Sequence, residues 1–137
     1  MMALGSFNRR HRLGVLLTAP CDVILSDENV VQPDLLFVST AYAAIVTEDN
    51  IQGAPDILVE ILSESSRKKD EVTKRKLYER FDVQEYWVVD PDLEIVKIFK
   101  RTQQKYGRAT ELSKENNDVF ATEVLAGFDF AVSEVFD

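Results

Sequence analysis

The chain has 137 residues, with 16 Lys or Arg against 24 Asp or Glu, and a formal net charge of −8. That length suits one domain, and 45 % hydrophobic with 29 % charged residues is a globular composition rather than a disordered one. The acidic total argues against a generally basic nucleic-acid binder.

The charge is nevertheless uneven. Residues 1–13 contribute +3 through Arg9, Arg10 and Arg12, residues 65–80 contribute +4, residues 97–108 contribute +5, and the remainder carries −20. On patterning alone, such stretches read equally as solvated faces or as polyanion contacts. The single cysteine, Cys21, excludes an internal disulfide and any zinc site with two cysteine ligands. The single histidine, His11, lies in a basic stretch and leaves little room for histidine chemistry. Arg9–Arg12 followed by Leu13–Cys21 mimics a lipoprotein leader, but the apolar run is short and Pro20 sits where cleavage needs a small residue. With no apolar run of about 18 residues, no membrane span is expected, and the reading is cytoplasmic.

Short strands are predicted at Val15–Thr18 and Val23–Leu25, divided by Pro20, and at Leu35–Val38. Residues 40–46 can form a helical turn or two. Gly53-Ala54-Pro55 breaks the chain before a strong strand pattern, Asp56–Leu62. Ser65 or Ser66 can cap a helix reaching about Phe81. Glu85–Val89 and Ile95–Phe99 flank Asp90-Pro91-Asp92 as a hairpin, with Trp87 in the core. Val119–Phe120, Glu123–Leu125 and Gly127–Phe130 suggest further strands. This order predicts a single α/β or α+β domain over 1–137, a mixed sheet with a crossover helix.

Two features resist a purely structural account. Residues two apart in a strand share a face, so Glu60 lies between Leu58 and Leu62 where burial is expected. A buried carboxylate requires a partner or a metal, unless the strand is a solvated edge. On a helical wheel advancing about 100° per residue, Asp70, Lys74, Leu77, Tyr78 and Phe81 fall on one stripe, while Arg75, Lys76 and Glu79 point to solvent. An Asp70–Lys74 pair at i, i+4 is the plain account, but it leaves unexplained why both charges occupy the apolar stripe. A lysine aimed at the sheet that carries Glu60 is a candidate functional group.

The strings Ala19-Pro20-Cys21-Asp22-Val23, Val31–Ser39, Gly53–Ser63, Asp70…Lys74…Tyr78, Glu85–Pro91 and the closing Leu125–Phe128 with Val135-Phe136 resemble the Uma-two family. That family is a branch of the PD-(D/E)XK nuclease-like superfamily, and the resemblance runs from about residue 13 to the end. It implies a restriction-endonuclease-like core and hydrolysis of DNA phosphodiester bonds with Mg²⁺, or Mn²⁺ in its place. Asp34 and Glu60 would be the metal-binding carboxylates, with the Ile61 carbonyl as a third ligand. Two residues after Glu60 stands Leu62 rather than the superfamily's lysine, and the resemblance implies that Lys74 of the following helix would take that role. Asp70 would hold Lys74, Tyr78 would hydrogen-bond nearby, and Asp56 would add a ligand or form a strand-start turn. Arg67, Lys68 and Lys69 are the best-placed phosphate contacts.

The resemblance also implies an N-terminal helix ahead of the basic stretch, so an N-terminally truncated member is expected. Exposed sheet surface and homodimerisation through it are then expected. The alternative is a catalytically inactive nuclease-like scaffold that binds nucleic acid or a protein partner.

Overall fold

The computed structural model describes residues 13–63, 67–125 and 129–136, with the backbone alone for residues 67–70 and 130. Its main sheet contains β1 (Gly14–Thr18), β4 (Leu35–Ser39), β6 (Ile57–Ile61), β7 (Glu85–Asp90), β8 (Ile95–Thr102) and β10 (Thr110–Ser113), side by side in that order. A short β9 (Lys105–Tyr106) folds back on β8. All neighbours on the main path are antiparallel except β6 and β7. That parallel pair demands a crossover, which the helix α1 (Arg67–Arg80) supplies. A smaller sheet joins β2 (Val23–Ser26), β3 (Asn29–Val31) and β5 (Ile51–Gln52), and β11 (Val119–Ala121) pairs with β12 (Asp129–Ala131).

The mixed sheet with its crossover helix is as expected. Leu35–Val38, Asp56–Leu62 and Glu85–Val89 hold their strands within a residue or two, and residues 40–45 make a 3-10 turn. Glu123–Leu125, expected as a strand, is a turn among the described residues. The strands β3, β5, β9 and β10 were not legible, because two to four residues of mixed polarity carry no period. The capping serines Ser65 and Ser66 lie outside the described residues.

The alternation of side chains divides the core in two. Leu35, Phe37, Ile57, Val59, Trp87 and Ile98 face one side, where Phe120, Leu125 and Val132 of the C-terminal segment pack on them. Leu36, Val38, Leu58, Leu62, Tyr86, Val88 and Phe99 face α1. The six sheet residues named on the first side are buried under the C-terminal segment, whereas Ile61 on the same face and Val15 of β1 stay exposed.

Helix α1 contains few apolar residues, and Tyr78 is its fully buried anchor. Leu77 packs beside it, and polar contacts add to the docking. Lys97 Nζ lies 2.9 Å from Glu71 Oε1, the Tyr106 N–H donates to Glu79 Oε2 at 2.7 Å, and Arg101 Nη1 donates to the Glu79 carbonyl at 2.6 Å. Placing Glu79 towards solvent was wrong. The inward stripe centres on Glu71 and Tyr78, turned by roughly 80° from the expected one, because these acids have partners on β8 and β9. Lys74 stays within the stripe at its margin.

Candidate active site

Glu60 sits near the end of β6, a central strand flanked by β4 and β7, and is only 7 % exposed. The solvated-edge account is thereby excluded. The β4–β6 register pairs Leu35 with Val59. Continued by one residue, it sets Asp34 directly opposite Glu60, on the same face. The pair is tied further by the Ile61 N–H, which donates to Asp34 Oδ2 at 2.6 Å.

From α1, Tyr78 Oη donates to Glu60 Oε1 at 2.9 Å, and Lys74 Nζ lies 3.2 Å from the same oxygen. Lys74 and Tyr78 are four residues apart, so one helical face delivers both. Burial pushes the Glu60 carboxyl above the usual carboxylate range; the Lys74 charge and the Tyr78 hydroxyl pull it back, and the Asp34 charge adds to the rise. Burial, followed by the adjacent Glu60 charge, raises the Tyr78 hydroxyl, so it remains a donor throughout the physiological range. Replacing Tyr78 with Phe removes a hydrogen bond to a buried charge. The variant is expected to lose about 2 kcal/mol of stability in urea titrations. An unchanged midpoint would show that the hydroxyl does not hold the carboxylate.

Each carboxylate keeps an oxygen without a hydrogen-bond partner among the described residues: Oδ1 of Asp34 and Oε2 of Glu60. Two facing carboxylates with oxygens to spare suit a hard divalent ion. No cluster of three or more Asp, Glu, His or Cys side chains able to hold a metal occurs among the described residues.

The structure thus brings Asp34, Glu60, Ile61, Lys74 and Tyr78 together. It does not bring Asp56 to them. Asp56 lies four residues from Glu60 along the strand, about 13 Å away, and its Oδ2 accepts the Ser39 N–H at 2.5 Å. It is the strand-start turn that the sequence left as an alternative. The side chains of Asp70, Arg67, Lys68 and Lys69 lie outside the described residues. Asp90 is turn chemistry, its Oδ1 accepting the N–H groups of Asp92 and Leu93, each at 3.1 Å. Sequence reasoning missed Glu71 and Lys97, whose pairing continues the row Asp34, Glu60, Val88, Lys97 across the sheet.

A family model named Uma2, described as "Putative restriction endonuclease", matches residues 1–133. The chain belongs to the Uma2 family. Among solved structures, this Uma2 chain is similar to "a putative nuclease belonging to DUF820" from Anabaena variabilis ATCC 29413, with a TM-score of 0.78 and 15 % identity. That alignment covers 98 % of this chain and 74 % of the other. The type IIG restriction endonuclease BpuSI aligns over 75 % of this chain and 11 % of its own, with 13 % identity and a TM-score of 0.47. No curated protein sequence matches. The fold is therefore that of a nuclease-like α+β domain, and no helix among the described residues is long and apolar enough to cross a membrane.

Proposed function

We propose that this Uma2 protein is a Mg²⁺-dependent endonuclease that hydrolyses DNA phosphodiester bonds. The observation that carries the reading is Glu60: a buried carboxylate on a central strand, facing Asp34 and met by a lysine and a tyrosine from the crossover helix. Glu85 and Asp90 are buried as deeply, but they accept hydrogen bonds that serve the fold, whereas Glu60 is set against a second carboxylate, a costly arrangement that packing alone does not call for.

Asp34, Glu60 and the Ile61 carbonyl would hold the ion, with Mn²⁺ able to replace Mg²⁺. When bound, the ion supplies Lewis acidity towards the scissile phosphate and eases deprotonation of the attacking water. The protein's own groups do the rest. Tyr78 fixes the Glu60 carboxylate by its hydrogen bond to Oε1, and the Ile61 N–H fixes Asp34. Lys74, partly exposed and 3.2 Å from Glu60, places a positive charge beside the carboxylate pair, where it can orient water and offset charge developing on phosphate oxygens. Arg67, Lys68 and Lys69 open the same helix and are assigned phosphate contacts on sequence grounds.

Supercoiled plasmid provides the test. The purified chain is expected to nick it in Mg²⁺ or Mn²⁺ and to stop in EDTA. Lys74→Ala is expected to slow nicking by about 100-fold to 1000-fold, the usual loss of one preorganised charge or donor. Undiminished nicking by that variant would remove Lys74 from the site. Salt-sensitive DNA binding without cleavage in either metal would instead establish the inactive scaffold.

A further inference from the structure

Two basic stretches of the sequence, far apart along the chain, meet in the fold. Two adjoining surface pockets that share Lys76 and Glu79 make a groove along α1: Arg75 and Arg108 line the first, and Arg80 and Lys105 line the second, with Lys105 and Arg108 at and after β9. Of the acids that line the groove, Glu71, Glu79 and Asp82 are engaged, while Glu111 has no ion-pair partner among the described residues. Glu71 pairs with Lys97 at 2.9 Å, Asp82 with Arg101 at 2.7 Å, and Glu79 accepts the Tyr106 N–H. Among the described residues, none of these five cations has an ion-pair partner. Arg75 instead rests over the Phe99 ring at 5.7 Å, and Arg80 over Phe81 at 5.2 Å. On a chain of net charge −8, five unpaired cations around one groove are a local reversal of sign.

We propose that this groove is a track for the phosphate backbone of duplex DNA, running along the helix that carries Lys74; the proposal rests on the nuclease reading above. Guanidinium and ammonium groups along it suit phosphate oxygens. Of the two aromatic residues that line it, Phe99 is 5 % exposed with Arg75 over its ring, and Tyr106 is half-buried with its hydroxyl tied to the Val83 carbonyl at 2.8 Å, which leaves little face for stacking an unpaired base. This favours a duplex backbone over a single strand. The groove also runs close to the site. Its lining residue Lys97 shares a cross-sheet row with Glu60, two strand spacings or about 10 Å away.

The experiment is fluorescence anisotropy of a short duplex with the full chain in EDTA, titrated at several salt concentrations. The triple variant Lys76→Gln/Lys105→Gln/Arg108→Gln changes exposed residues and is compared with Lys100→Gln, a cation on the other face of β8, 5.6 Å over the Phe120 ring. The triple variant is expected to flatten the slope of log K against log salt by about 3, with affinity at low salt down on the order of 100-fold. Lys100→Gln is expected to change neither. An unaltered slope in the triple variant overturns the track, while plasmid nicking reports separately on the nuclease reading. Heparin binding with no duplex binding assigns the groove to another polyanion and overturns the proposal. Failure of the parent to bind either one overturns it as well.

Discussion

Glu60→Gln is expected to abolish metal-dependent DNA cleavage and, in the same molecule, to raise the thermal midpoint at neutral pH. Loss of cleavage follows from the removed charge: an amide is a poor ligand for a hard divalent ion, and the rate should fall about 1000-fold or more. The gain in stability follows from burial. Glutamine keeps an acceptor for the Tyr78 hydroxyl, and Lys74 is exposed enough to turn to water. Because burial raises the folded-state pKa of Glu60, the folded protein holds that proton more tightly than the unfolded chain does. The stabilising contribution of Glu60 is therefore fully present below the unfolded carboxylate pKa and is lost as pH rises through the raised folded value. At neutral pH the ionised residue opposes folding, and the amide relieves it. Calorimetry without metal should show the variant melting higher than the parent at pH 7, with the difference narrowing as pH falls through the carboxylate range. Divalent ion should raise the midpoint of the parent and leave the variant nearly unmoved. A variant that melts lower at pH 7 would show that the charge is structural.

Trp87→Ala is expected to be the most destabilising single change at a residue outside the site. The side chain is fully buried, meets the Phe120 ring edge-on at 5.0 Å, and donates through Nε1 to Glu85 Oε1 at 2.9 Å. Its removal opens a cavity between the sheet and the C-terminal segment. It also takes a donor from Glu85, a 3 % exposed carboxylate whose other oxygen accepts the Thr122 hydroxyl. Aromatic truncation alone costs about 3–5 kcal/mol, and an orphaned buried acceptor adds to that. Against a total stability of about 5–15 kcal/mol, most of the folded population is at risk. Trp87→Phe separates the two causes, since it retains much of the packing and loses only the donor. Urea titrations in which Trp87→Ala costs less than about 1 kcal/mol would contradict this account.

How far the site could be read from sequence differed residue by residue. Glu60 was legible because a charge flanked by leucines breaks a period-two pattern, and burial of the residue bears that out. Lys74 was legible as an inward lysine, and it meets Glu60. The wheel nevertheless misplaced Glu79 and overlooked Glu71. A hydrophobic stripe locates a helix face best when apolar residues alone do the docking, whereas α1 is docked by ion pairs and hydrogen bonds as well as by Tyr78 and Leu77. Asp56 showed the opposite failure: it shares a strand face with Glu60, yet four residues of extended chain separate the two by about 13 Å.

The sequence by itself determined the class of fold, the major strands, the crossover helix and the oddity of a carboxylate and a lysine on inward faces. These rest on local periodicity, which neighbours along the chain supply. Only the tertiary structure decided that Asp34 stands opposite Glu60, that Tyr78 and Lys74 converge on one oxygen, and that the two basic stretches line a common groove. Register between strands and the rotation of a helix over a sheet are set by contacts between distant residues. The charge of −8 likewise summed over a distribution whose meaning depends on which side chains the fold leaves unpaired.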